Sequence, residues 1–461
     1  MEQDFVVVKF GGTSMGHAAI MKKAAQIVAD QPRAKLAVVS ATSGTTNQLV
    51  EIFQKRKEHK NNTLLLESIS PCTEKHLQIA RELDLPSEDL EHISKLVRAA
   101  SHALVQTLSL TERVEENQAL DEWLSLGERL SSLLFTGALR SVLTSVTTID
   151  ARTLIRTDSH FGKAEAQTAA IKALCSEHLL PLLLKNRVVV TQGFIGADEK
   201  GLSTTLGRGG SDLSAALLAE GINAKELHIM TDVNGVFTMD PGLIPEAVRI
   251  DSLSFAEAAE LANFGAKVLH PATLWPAIRK HIPVFVGSSF HPEKGGTWIY
   301  PETKDKPLIR ALALRKKQSL ITVTSLRMLN AHGFLARIFS ILAEHKLSVD
   351  LVTTSEVSVA LTIDGTNLDS SGASIAKNER LFSELRQYAD VSLEEGLCLV
   401  ALIGNDLTHT SGIGSRAFTS IEPFKIRLIC HGASSHNLCF LVKSDDAPSV
   451  IKRLHKTFIE V

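Results

Sequence analysis

The chain has 461 residues, 44% of them apolar and 22% charged, with a formal net charge of −2. That length predicts two to four domains and that composition a soluble globular protein. The charge leaves no bulk field for nucleic acid or an anionic membrane, no apolar run reaches the ~18 residues of a membrane helix, and five scattered cysteines without a C-x-x-C pair signal neither a zinc site nor a redox pair. The odd cysteine count and the lack of a signal peptide predict a reducing, cytoplasmic setting.

Val6-Val7-Val8-Lys9-Phe10 runs into Gly11-Gly12-Thr13-Ser14. A continuous β-branched run predicts a strand buried on both faces. Lys9 then stands at the strand's C-terminal end, where open α/β sheets bind ligands. A Lys beside glycine N–H groups suits an anion, phosphate first, although a solvated Lys in a glycine turn reads the same way. A helix over Ala18–Ala29 and a second buried strand over Leu36–Val39 make a parallel βαβ unit, so both strands end on one sheet edge. The second strand runs into the hydroxyl-rich stretch from Ser40 to Asn47, which includes Thr46.

Residues 62–140 change character. Glu67–Leu83, Ser87–Leu108 and Thr111–Leu139 carry apolar residues at three- and four-residue spacing and predict a helical layer or lid. Ser87, after Pro86 and before acidic residues, is the predicted N-cap. Gly127 beside Glu128 interrupts the third helix, where Gly costs about 1 kcal/mol relative to Ala. Close approach of a backbone or a ligand is one reason to keep it.

Residues 186–300 return to α/β. A strand through Val188-Val189-Val190 enters a glycine loop, and Gly207-Arg208-Gly209-Gly210-Ser211-Asp212 precedes a helix over Leu213–Glu220. Consecutive glycine N–H groups at a helix N-terminus suit an anion. Arg208 adds a planar fork for carboxylate or phosphate, and Asp212 offers a carboxylate to a cation or a Lys. The plain alternative is a glycine turn with a Ser or Asp N-cap. No G-x-x-x-x-G-K-[ST] occurs, so this is not a P-loop. Strands follow at Glu226–Met230, running into Thr231-Asp232 and on to Phe237, and at Pro283–Val286. In Phe264-Gly265-Ala266-Lys267-Val268-Leu269-His270-Pro271, Lys267 either reaches a phosphate or is solvated, and His270 reads as structural.

Residues 300–310 hold two prolines and five charges and predict a linker. The chain then repeats itself. Gly333, Arg337, Phe339 and Leu342 recur 79 residues later as Gly412, Arg416, Phe418 and Ile421. Each copy reads strand, helix, two strands and a closing helix, which predicts a pair of small α+β modules. The repeat also explains Gly412-Ile413-Gly414, so its dinucleotide-like pattern is discounted. Asp350 and Glu356 are special to the first copy, since Arg427 stands where Asp350 would recur. Two carboxylates among hydroxyls suit a small cationic ligand, or are two solvated acids.

Taken together, the stretches Val8–Ser14, Gly207–Asp212, Phe264–Pro271 and Val349–Ser358 resemble those of the aspartate kinases, most closely the monofunctional, lysine-sensitive type of enteric bacteria. The resemblance spans essentially the whole chain. It implies an α/β amino-acid-kinase (carbamate-kinase-like) domain, with a largely parallel sheet between helices, over residues 1–300. A linker over 301–312 and two ACT (ferredoxin-like α+β) domains over 313–395 and 396–461 would follow, with halves that can interleave.

The activity it implies is transfer of a phosphoryl group from ATP, with Mg, to the β-carboxylate of L-aspartate. That reaction opens the lysine, threonine and methionine pathway and is feedback-inhibited by L-lysine. By the same resemblance Lys9 and Asp212 are catalytic, and Lys9, Phe10, Gly11, Gly12, Thr231, Asp232, Phe237, Lys267 and Val268 bind the nucleotide. Ser40, Thr46, Glu128, Arg208, Gly209, Gly210 and Ser211 would form the aspartate pocket, with Glu128 on the α-ammonium. Met328, Phe334, Leu335, Ser348, Val349, Asp350, Thr354, Ser355 and Glu356 would form a lysine site. No protein-held metal is expected.

The implied assembly is a homodimer through the ACT domains, with a tetramer in the presence of lysine as the alternative, and with neither nucleic acid nor membrane as partner. Three departures stand out. Relatives carry Tyr, Arg and Ser where this chain has Phe237, Gly242 and Ala331. A glutamate or nucleoside-monophosphate kinase of the same fold, or a non-catalytic amino-acid sensor, remains the alternative reading.

Overall fold

The computed structural model describes residues 4–58, 62–109, 113–265, 271–328, 332–364 and 378–460. The chain forms two compact units. The first comprises residues 1–236, 249–255 and 267–303, and the second 237–248, 256–266 and 304–461.

The first unit is built on an eight-stranded sheet. In chain order its elements begin with β1 (Val6–Phe10), α1 (Ala18–Asp30), β2 (Ala34–Val39) and α2 (Thr45–Lys55). The helices α3 (Asn62–Glu82), α4 (Ser87–Gln106) and α5 (Arg113–Arg140) follow, then β3 (Val146–Thr148), α6 (Thr168–Leu174) and α7 (Leu180–Leu184). Next come β4 (Val188–Gln192), a small hairpin of β5 (Ile195–Ala197) and β6 (Ser203–Thr205), α8 (Gly210–Gly221) and β7 (Glu226–Thr231). The strand β8 (Ser252–Ser254), α10 (Pro271–Lys280), β9 (Val284–Ser288) and β10 (Gly296–Tyr300) complete the series, while the intervening α9 (Phe255–Asn263) belongs to the second unit from residue 256 on.

The sheet order is β3-β4-β2-β1-β7-β9-β10-β8, parallel throughout except where β10 runs against β9. β1 is central and buried along its whole length, as a fully apolar run in a two-sided sheet must be. The chain moves from β1 to β2 on one side and later to β7 on the other, so β1 lies at the topological switch point.

Helices α3, α4 and α5 bury one apolar face each in the core that also holds Val6, Val8 and Phe10. Ser87 is the first residue of α4 rather than its cap. Pro86 takes the cap position, and no side chain closes the N-terminus. The fixed φ of Pro86 and the acidic first turn (Glu88, Asp89) serve in its place.

The second unit carries a six-stranded sheet of order β12-β13-β11-β14-β16-β15. Its elements are β11 (Ile309–Thr324), α11 (Phe334–Glu344), β12 (Val352–Thr354), β13 (Ser358–Asp364), α12 (Glu379–Arg386), β14 (Asp390–Gly404), α13 (Ile413–Ser420), β15 (Leu428–His431), β16 (Asn437–Lys443) and α14 (Ala447–Phe458). β11 starts inside the 301–312 stretch, because Ile309–Leu314 pairs with Val400–Gly404 instead of hanging free.

Two long antiparallel strands thus serve both modules. The second half of β11 pairs with β13, and the second half of β14 with β16. Each module has its own core, one around Ile321, Ile338 and Leu361, the other around Val400, Phe440 and Leu454. The sequence repeat has a physical meaning here. Gly333 and Gly412 both cap a helix in the left-handed region, with φ of +83° and +78°. Arg337 and Arg416 both stack on an aromatic ring, Tyr388 and Phe458, at 5.2 and 4.8 Å from the ring centre.

Candidate active site

A cavity of about 410 Å³ opens at the C-terminal ends of β1 and β2, and all its lining belongs to the first unit. It brings together Lys9, Gly12, Ser40, Thr46, Glu128, Arg208, Gly209, Gly210, Ser211 and Asp212, which lie far apart in sequence. Lys9 is 7% exposed and forms an ion pair with Asp212 from the first turn of α8. Asp212 gives the enclosed Lys9 side chain its partner and fixes its direction. The loop before α8 is a glycine turn, in which Gly210 N–H donates to Gly207 O at 2.9 Å. Gly209 caps the helix at φ +74°, and a Cβ at Gly210 would fall 2.8 Å from the Phe194 ring. Arg208 stands exposed on the rim.

Gly127 explains its own cost. A Cβ there would lie 3.0 Å from Ala41 Cβ and 3.4 Å from the Leu49 and Thr45 side chains, so α5 packs directly on the segment after β2. This brings Glu128, 2% exposed, to the cavity. Its Oε1 accepts from Ala41 N–H at 3.3 Å, while Oε2 is buried with no hydrogen-bond partner. Burial pushes the carboxyl up to about 8, against the pull of backbone N–H groups. An orphaned, buried acceptor beside a polar cavity fits a cationic donor such as an ammonium.

The nucleotide residues are less uniform. Phe10 is fully buried with its ring 5.3 Å from Phe135, so only its backbone can serve a ligand. The expectation that both glycine N–H groups cradle phosphate needs correction. Gly11 N–H is committed to Met230 O at 3.2 Å, extending the β1–β7 ladder, and Gly12 is the one that faces the cavity. Thr231 ends β7, where its carbonyl accepts from Ser289 N–H at 2.8 Å and its hydroxyl donates to the exposed Asp232 at 3.1 Å. Phe237 is half-buried and opens the segment 237–248 of the second unit. Lys267, Val268 and His270 lie outside the described residues, as does Ala331.

Three supports were not read from the sequence. Asp121, two helical turns before Glu128 on α5, accepts from Gly162 N–H, Thr205 N–H and the Thr205 hydroxyl at 2.8–2.9 Å, anchoring the strand that leads to the glycine turn. Its seven-residue spacing from Glu128 on one helix face was the available signal. Ser14 and Ser289 share a buried hydroxyl contact at 2.6 Å across 275 residues, which no local pattern could announce. His76 of α3 bonds Thr42 at 3.1 Å.

In the second unit Asp350 is half-buried. Its Oδ1 faces Arg315 at 3.2 Å, and Arg315 also holds Asp364 at 2.7 Å, while Asp350 Oδ2 is buried without a hydrogen-bond partner. Burial, and then Asp364, raise the Asp350 carboxyl above its ordinary value against the pull of Arg315. Thr354, Ser355 and Glu356 are exposed on and after the edge strand β12, as are Ser348 and Leu335, while Met328, Phe334 and Val349 are partly buried.

Residues 4–288 match the amino acid kinase family and residues 400–458 the ACT domain. The chain is 47% identical over 462 residues to the lysine-sensitive aspartokinase 3 of Escherichia coli, covering 99% of this chain and all of that one. It is 35% identical to the chloroplastic aspartokinase 1 of Arabidopsis thaliana, covering 98% of this chain and 80% of that one. Among solved structures it is similar to E. coli aspartokinase III in complex with aspartate and ADP in the R state, with a TM-score of 0.86 at 46% identity over 98% of this chain and 99% of that one. The same enzyme with lysine and aspartate in the T state matches with a TM-score of 0.83 at 46% identity, covering 99% of each chain.

Proposed function

The chain belongs to the aspartokinase family, and on that premise we infer that it phosphorylates the β-carboxylate of L-aspartate with ATP and is inhibited by L-lysine. The observation that carries the residue assignment is the cavity in which an enclosed Lys9–Asp212 pair faces an orphaned Glu128 carboxylate oxygen.

The substrate's α-ammonium takes the Glu128 Oε2 position, and Arg208 clamps its α-carboxylate, with Ser40 and Thr46 beside it. The β-carboxylate oxygen attacks the γ-phosphorus, and the bond to the bridging oxygen of ADP breaks. No general base is needed, because a carboxylate is ionised at pH 7. Catalysis is then positioning plus charge stabilisation. Lys9, steered by Asp212, meets the negative charge of the transferred group, while Gly12 and the first turn of α8 offer N–H groups to the phosphates. Thr231, Asp232, Phe237, Lys267 and Val268 serve the nucleotide.

Magnesium enters with the nucleotide and neutralises phosphate charge. Mg²⁺ is commonly held by phosphates, waters and one or two carboxylates, and among the described residues no three His, Cys, Asp or Glu side chains converge on a metal position.

In the second unit Asp350, with one oxygen on Arg315 and one orphaned, is the anchor for the effector's ammonium. Assembly is a homodimer through the ACT modules. The cytoplasm, a reducing compartment, suits five free cysteines.

The test compares ADP release with aspartate, glutamate and UMP as acceptors, then titrates lysine, threonine and methionine. Turnover with aspartate and inhibition by lysine is expected. Turnover with glutamate alone, or inhibition by threonine and not lysine, would refute the reading.

A further inference from the structure

His76 has no place in the reaction as described, yet it is fully buried against the wall of the aspartate cavity. Its hydrogen bonds have a fixed polarity. Nδ1 lies 2.7 Å from the Cys72 carbonyl oxygen, which can only accept, so Nδ1 carries the proton. Burial lowers the imidazole to about 4, so it is neutral and Nε2 is an acceptor. The Thr42 hydroxyl, 3.1 Å away, therefore donates to Nε2. Thr42 Oγ1 must then accept from Thr45 Oγ1 at 2.5 Å, and Thr45 in turn accepts from Lys75 Nζ at 3.2 Å. Thr42 and Thr45 are both essentially inaccessible to solvent, so neither hydroxyl can turn to water instead.

This chain of donors ends in the segment that matters for the substrate. Thr42 lines the cavity, its neighbour Ala41 supplies the N–H that holds Glu128 Oε1, and Thr46 stands beside it. Lys75 also donates to Ser43 O at 2.5 Å, so α3 grips this loop by two successive side chains.

We propose that His76 is a positioning residue for the aspartate subsite, holding the Ser40–Gly44 loop and the start of α2 through Thr42 and Thr45 at the spacing where Ala41 meets Glu128. The proposal rests on the reading of this cavity as the aspartate pocket. A neutral acceptor is required at the Nε2 position, and Nδ1 only anchors the ring to its own helix.

The two nitrogens can be separated by substitution. In His76→Gln the amide reaches the Nε2 position, and in His76→Asn it reaches only the Nδ1 position. Steady-state kinetics of both variants are compared with wild type. His76→Asn is expected to raise the KM for aspartate about tenfold, the effect of losing one buried hydrogen bond, with kcat and the KM for ATP within about twofold. His76→Gln is expected to restore the KM for aspartate to within about threefold of wild type. Equal behaviour of the two variants, or a common shift of kcat and both KM values, overturns the proposal. Should His76→Asn fail to fold, Thr42→Val removes the same bond from the other end, and the same selective rise is expected. Glu128→Gln is run alongside. If it leaves the KM for aspartate unchanged, the pocket reading itself fails. If it raises that KM while His76→Asn does not, only the role of His76 fails.

Discussion

Glu128→Gln should make the protein more stable and less able to bind its substrate. In the unfolded chain this carboxyl titrates near 4.5, and in the folded cavity burial pushes it up to about 8. Between those values the folded state binds a proton that the unfolded state has released, so stability falls as pH rises through that window. Each pH unit is worth about 1.4 kcal/mol, which gives about 3 kcal/mol at pH 7. Glutamine has the same shape, can accept from Ala41 N–H, and carries no such cost. Urea unfolding of both proteins at pH 5, 6 and 7 should show a stability gap that is small at pH 5 and grows to about 3 kcal/mol at pH 7.

On the proposed pairing of Glu128 with the substrate ammonium, the same titration governs function, because the ammonium then needs the ionised carboxyl, of which only roughly one tenth is present at pH 7. The KM of the wild type for aspartate should therefore fall about tenfold per pH unit as pH rises towards 8, then level off. In the variant that slope disappears and the KM rises about hundredfold, the cost of removing one partner of a buried charge pair. A stability gap that does not widen with pH, or an unchanged KM for aspartate, would remove Glu128 from the substrate pocket.

Lys9→Ala should lower kcat about 10²–10³-fold with a smaller change in the KM for ATP, since its charge is needed most in the transition state; rapid-quench single-turnover measurements check this, and normal turnover removes Lys9 from the mechanism. Asp350→Asn should abolish lysine inhibition while leaving uninhibited activity near wild type. Arg315→Gln should weaken lysine inhibition, most at low pH, because the Asp350 carboxyl is already raised by burial and loses the guanidinium that opposes this; inhibition curves at pH 6 and 8 decide, and parallel curves would contradict it. Gly127→Ala should raise the KM for aspartate, because its Cβ would press on Ala41 at 3.0 Å, a contact that offsets the roughly 1 kcal/mol of helix propensity that glycine forgoes; an unchanged KM would show that this close approach is not needed.

What could be read in the sequence was whatever local pattern encodes. Val6–Phe10 announced a buried strand because its residues are apolar on both faces, and Gly207–Asp212 announced a tight turn into a helix because glycine there supplies positive φ. The repeat was legible because the same physical devices, a left-handed Gly cap and an Arg stacked on an aromatic ring, recur in both modules. Gly127 was visible only as an anomaly; its reason, the packing of α5 on Ala41, needed three-dimensional placement. Gly11 and Gly12 look equivalent on the page and differ in the fold, since strand pairing consumes the first N–H. Only the first residues of β11 were hidden, behind a proline- and charge-rich stretch, because their partner lies some ninety residues further on and pairing energy outweighed local composition. His76 and Ser289 act on residues 34 and 275 positions away, a range over which one sequence carries no signal, and Asp121 showed only its place on the Glu128 face of α5, not its partner 84 positions away.

The most direct test of the account is trapping of the product. An acyl phosphate formed on the β-carboxylate reacts with hydroxylamine to give β-aspartyl hydroxamate and inorganic phosphate, which a ferric-chloride assay reads. With ATP, Mg²⁺ and L-aspartate, hydroxamate is expected in step with ADP and suppressed by added L-lysine. ADP release without hydroxamate, or hydroxamate formation that lysine leaves untouched, would contradict it.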